Sequence, residues 1–113
     1  MTSVQKESLT ALSRHQLENA RNVPSGRSAH TLYGGHEHLL RQTLIALRAG
    51  ANLDEHENPG EATVQVLHGR VTLVAGEVRW NGSPGDLLFV PDSRHALEAV
   101  EDSVVLLTVA KRP

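Results

Sequence analysis

The sequence predicts an all-β domain, a sandwich or a barrel, preceded by one amino-terminal helix. After Gly26 the chain breaks into short segments rich in β-branched and aliphatic residues, the composition that suits a pleated, half-buried surface. Gly, Pro, Asn and Asp punctuate those segments at short, even intervals, as in sandwiches and barrels. Ahead of them lies a stretch of a different kind, with helical periodicity.

That first stretch runs from Lys6 to Arg21, where Leu9, Leu12, Leu17 and Ala20 recur at helix-like intervals among good helix formers. Thr2 or Ser3 is available as its cap. The helix should stop near Asn22, because Pro24 disfavours helical geometry at Val23 and Pro24-Ser25-Gly26 punctuates the chain. Strands are expected at Ser28 to Tyr33, Leu39 to Arg48, Thr63 to Leu67, Val71 to Ala75, Val78 to Trp80, Leu87 to Val90, Ala96 to Val100 and Ser103 to Ala110. His68-Gly69 and Gly76-Glu77 read as tight hairpin turns. The run from Asn81 to Asp86, with Gly82, Pro84 and Gly85, reads as a longer corner where a strand passes from one sheet to the other. The expected organisation is a helix and connection over 1–26 and a β-barrel over 27–113, one domain in all.

Composition narrows the functions. The chain has 113 residues, 39% of them apolar and 21% charged, which fits one globular domain, and no apolar run approaches the roughly 20 residues of a membrane-spanning helix. A net charge of -2, with Lys and Arg scattered, gives no footprint for a phosphate backbone, so no nucleic acid and no membrane is expected as a partner. Zero cysteines and a polar Met1 to Glu7 without the apolar core of a signal peptide point to the cytoplasm. No Ser sits in a nucleophile motif, and Gly34-Gly35 lacks the context of a phosphate-binding loop. Seven histidines beside one Tyr, one Trp and one Phe raise the question of a metal.

Two stretches carry a family resemblance. Gly50, His56, Asn58, Ala62 and Gly69 fall on the spacing of the first cupin signature, G(x)5HxH(x)3-4E(x)6G. Gly85, Pro91 and His95 fall near that of the second, G(x)5PxG(x)2H(x)3N. From Leu39 to Ala110 the chain therefore resembles a small cupin, which implies a jelly-roll barrel, the double-stranded β-helix, with the helix packed across an edge or opening. The resemblance also implies where a site would lie. Alternate residues of a strand point the same way, so positions 56, 58 and 62 share the barrel side of an unbulged strand, and the histidine of the second signature meets them. In the family three imidazoles and a carboxylate hold a divalent metal in that place.

This chain departs from the pattern. Asn58 stands for the second histidine, Ala62 for the glutamate, Ser93 for a glycine and Ala99 for the asparagine, and His95 comes one residue early. The resemblance carries over only His56 and His95 as ligands of a divalent transition metal. The other reading of the same pair is two neutral imidazoles lining a polar pocket. Odd parity turns Glu57 and Glu61 outward unless a bulge shifts the register. Gln42, between Leu40 and Leu44, is either a pocket residue or a position facing water, and Trp80 either walls the pocket or packs in a core or interface. His36 and His38 read as part of a solvated hairpin, and His15 and His68 as surface residues.

The expected ligand pocket is therefore His56, Asn58, His95, Gln42 and Trp80, holding a small polar or aromatic metabolite without demonstrable catalysis. The alternatives are a metal-dependent oxygenase or isomerase, and a structural or interaction barrel if Val64, Val66, Val71, Leu73 and Leu97 fill the interior. A homodimer is expected, on the reasoning that Leu39 to Arg48 and Ser103 to Ala110 would otherwise be exposed sheet edges.

Overall fold

The computed structural model describes residues 5–56 and 60–112. One helix, α1 (Leu9–Asn22), is followed by strands β1 (Arg27–Tyr33), β2 (Leu40–Leu47), β3 (Asn52–His56), β4 (Gly60–His68), β5 (Val71–Ala75), β6 (Val78–Gly82), β7 (Leu87–Phe89), β8 (His95–Ala99) and β9 (Ser103–Lys111). All pairings are antiparallel. One sheet has the order β1-β2-β9-β4-β7 and the other β3-β8-β5-β6, the two layers of a jelly roll.

Ser8, not Thr2 or Ser3, caps the helix: its backbone is extended and its hydroxyl accepts the Ala11 N–H at 3.2 Å. The expected caps lie outside the described residues. At the other end Val23 is extended, at φ −111° and ψ 148°, as a residue before proline should be. The Arg48 guanidinium donates to carbonyls at and just beyond the helix end, those of Arg21, Val23 and Pro24, at 3.1 to 3.3 Å.

Strand alternation divides the apolar residues between two cores. Ile45 and Leu47 of β2 join Val64, Val66, Val71, Leu73, Leu97, Ala99 and Val105 between the sheets. Leu44 and Ala46 of the same strand face the helix, with Leu17, Ala20 and Val104. Strand β2 is thus buried on both sides, which explains its continuous apolar run.

Two expectations fail for topological reasons. Strands β2 and β9 are central in their sheet, and the edges are β1, β7, β3 and β6, so the edge argument for a dimer does not apply to β2 and β9. His68-Gly69 is no hairpin, because β4 and β5 belong to different sheets. Gly69 turns the corner at φ 81°, and a Cβ there would run into the Asp102 carbonyl and the Ser103 hydroxyl. Gly76-Glu77 does close a hairpin, with Ala75 opposite Val78. The corner from Asn81 to Asp86 does lead from one sheet to the other.

No helix among the described residues is long and apolar enough to cross a membrane.

Candidate functional site

The two signature histidines occupy opposite register positions on β3 and β8 through a bulge. Leu53 of β3 stands opposite Leu97 of β8, and His56 stands opposite His95, so three steps on β3 match two on β8. The extra residue brings position 56 into register with the barrel-facing row His95, Leu97 and Ala99.

His95 is buried, with 6% of its surface exposed. Its Nδ1 lies 2.8 Å from the Ser93 carbonyl oxygen. A carbonyl only accepts, so Nδ1 is the donor in this contact. The same arrangement orients histidines that ligate metals. Beside the ring is a cavity of about 20 Å³ walled by Ile45, Val64, Leu73, Val90 and Leu97 among others, room for about one water molecule.

The remaining expected site residues do not gather around it. Ala62 occupies the carboxylate slot on the barrel-facing row, opposite Val109. Glu61, opposite Ala110, is exposed, as parity requires. Gln42 shares the outer face of β2 with Leu44 and donates to the Thr108 hydroxyl at 3.4 Å, which puts the sheet between it and His95. Trp80 lies opposite Leu73 on edge strand β6 and is 41% exposed, at the rim of the barrel face and away from the cavity beside His95. Asn58 and Glu57 fall outside the described residues. In the β1–β2 hairpin His38 rests on Tyr33, ring centroids 4.6 Å apart, in keeping with a solvated loop.

A larger cavity, about 540 Å³, opens at the end of the five-stranded sheet. Glu61, Thr63, Phe89, Asp92, Thr108 and Arg112 line it, and the Arg112 guanidinium is 3.6 Å from the Asp92 carboxylate. Glu61, Thr63 and Thr108 put this cavity on the outer face of the sheet, the face of Gln42, and Val90 lines both it and the inner cavity. Nothing in the sequence marks these residues as one group. They meet because β4 pairs β7 on one side and β9 on the other.

No family model matches the sequence, but solved structures do match the fold. A conserved protein of unknown function from Streptococcus pyogenes is 27% identical, at TM-score 0.72 over 80% of this chain and 79% of that one. An RmlC-like cupin from Desulfovibrio desulfuricans is 25% identical, at TM-score 0.66 over 74% and 81%. A cupin 2 conserved barrel domain protein from Leptotrichia buccalis is 26% identical, at TM-score 0.69 over 75% of this chain and 41% of that one. The chain has the fold of a small cupin domain.

The metal that the cupin fold implies can be tested against the donors present. Among the described residues no three His, Asp or Glu side chains converge. The family's glutamate is an alanine and Glu61 faces away. An imidazole at 95 with one more at 56 falls short of the three or four protein ligands that hold a divalent ion. The described residues of this cupin do not fit a metal, and no chemical step is derived through one.

Proposed function

We propose that this cupin is a small-molecule-binding module without metal-dependent catalysis, whose ligand sits in the larger cavity, a mouth at the end of the five-stranded sheet on the face turned away from His95. The observation that carries the reading is the contrast between the two cavities. The interior has about 20 Å³ free, far below the several hundred Å³ of a metabolite site. The mouth has about 540 Å³, within that range. Its lining suits a small polar or aromatic metabolite: Arg112 for an acidic group, Glu61 and Asp92 for donors, and the Phe89 ring as an apolar wall.

Thermal-shift screening of a metabolite set tests this on wild type and on Arg112→Ala. A hit lost in Arg112→Ala supports the mouth, whereas a hit retained there and lost in His95→Ala sends the ligand to the interior. Elemental analysis of protein purified without a metal-affinity tag, alongside His56→Ala and His95→Ala, tests the metal reading. A stoichiometric transition metal lost in both variants would overturn our proposal.

A second reading, a structural barrel, is favoured by the interior itself, since Val64, Val66, Val71, Leu73 and Leu97 are all buried. A screen without hits would leave that reading in place. A cytoplasmic homodimer belongs to our proposal too. Leu87 and Phe89 on the three-residue edge strand β7 are 50% and 76% exposed, an apolar edge that a second copy would cover. Sedimentation of wild type and Phe89→Asp checks it: the variant should shift to monomer, and a monomeric wild type would discard the dimer.

A further inference from the structure

A second groove lies on the same outer face of the five-stranded sheet, at its other end, between α1 and the end of β4, with a volume of about 380 Å³. Its floor is apolar, from Leu9 and Leu17 of the helix and Leu67 and Val104 of the sheet, and Arg14 and His68 stand on its rim. We propose that it binds a small amphipathic anion, a carboxylate on an aliphatic or aromatic body. This groove shares no lining residue with the mouth.

The groove exists because of a second bulge. Val66 stands opposite Val105 and His68 opposite Val104, which leaves Leu67 as an extra residue on β4. Val66 and Val105 belong to the barrel core, whereas Val104 belongs to the core under the helix. Without the bulge, position 68 would share the barrel face with Val66. With it, Leu67 joins the apolar cluster under the helix and His68 pairs with a residue of that outer face. Two consecutive side chains, one apolar and one polar, thereby line the same groove.

Charge selects the occupant. No carboxylate of the described residues lines the groove, and Arg14 makes no hydrogen bond or ion pair with any described residue. Two acidic groups of the surrounding surface have partners of their own: Glu18, one turn on from Arg14, accepts from Asn22, and Asp102, which also feels the charge of His68, accepts from Arg21 and the Ala49 N–H. An unpaired guanidinium and an imidazole over leucine side chains complement an anionic head on an apolar tail. The volume lies in the range of small-ligand sites.

The test uses the full chain and decanoate below its micelle concentration, with decanol and decyltrimethylammonium as controls, followed in two-dimensional amide correlation spectra. Decanoate should saturably shift the amides of Leu9, Arg14, Leu17, Leu67 and His68. Decanol and the ammonium should bind at least roughly tenfold more weakly, and Arg14→Gln, an exposed change, should weaken decanoate by roughly tenfold. Equal binding of decanol, unchanged affinity in Arg14→Gln, or shifts confined to Glu61 and Arg112 at the mouth would overturn it. So would movement of the groove amides with protein concentration alone, which would assign the groove to a second copy.

Discussion

The barrel interior and the helix-covered face are built on the same strands, yet one is filled and the other is left open. Inside, residues from both sheets interdigitate until about 20 Å³ remains next to His95. Outside, a single helix covers the first part of the sheet through Leu17 and Ala20, and its amino-terminal half leaves a groove of about 380 Å³. Two sheets can match each other residue for residue over their length, whereas a cylinder laid on a twisted sheet meets it along one line. The packed region of this cupin therefore carries stability, and its spare volume lies where packing is geometrically incomplete.

Mutations can break that contrast. The largest effect is expected inside: Leu73→Ala, at a site 2% exposed, should lose about 2 to 5 kcal/mol, since a close-packed core cannot collapse onto the void. Denaturant midpoints measure it, and a loss under about 1 kcal/mol would mean that the interior is looser than described. His95→Ala should lose about 1 to 3 kcal/mol, because it strands the Ser93 carbonyl as well as opening space. Leu67→Ala removes as many atoms as Leu73→Ala but borders a groove already open to solvent, so its loss should stay near 1 kcal/mol. Equal losses at 67 and 73 would erase the distinction between the two regions.

The smallest effect belongs to the link between them. The Asp102 carboxylate is held below the usual carboxylate range, first by the Ala49 N–H and then by the Arg21 side chain, each at 2.8 Å. Because its folded value is depressed, the stability it adds is present above the unfolded carboxylate range and is lost as pH falls through the lowered folded value. Asp102→Asn should lose about 1 kcal/mol at neutral pH. The wild-type advantage should vanish in acid, which unfolding curves at neutral and acidic pH would show. An advantage that persists in acid would remove Asp102 from the account.

How much of this was legible in the sequence varied with the range of the interactions. Val71 to Ala75 was read to the residue because its apolar run and the glycine after it are local signals. Strand β3 was missed as a separate element, since Asn52, Asp54, Glu55 and His56 carry little strand propensity and its pairing with β8 is long-range. Both bulges were invisible for the same reason: a ladder is defined by two strands, and the sequence displays one at a time. At the site, the signature spacing led to His56 and His95, which the register does bring opposite each other. It could not reveal that Gln42 lies behind the sheet, or that Glu61, Asp92 and Arg112 share a cavity, because those facts depend on which strands are neighbours.

The helix attachment has a dynamic consequence. All three Arg48 contacts and the Arg21–Asp102 ion pair lie at its carboxyl end, so α1 is held like a cantilever, clamped at one end and loaded at the other. Hydrogen exchange should record a gradient, with amides slowing from Leu12 toward Ala20. The width of the groove would then vary with the deflection of its free arm.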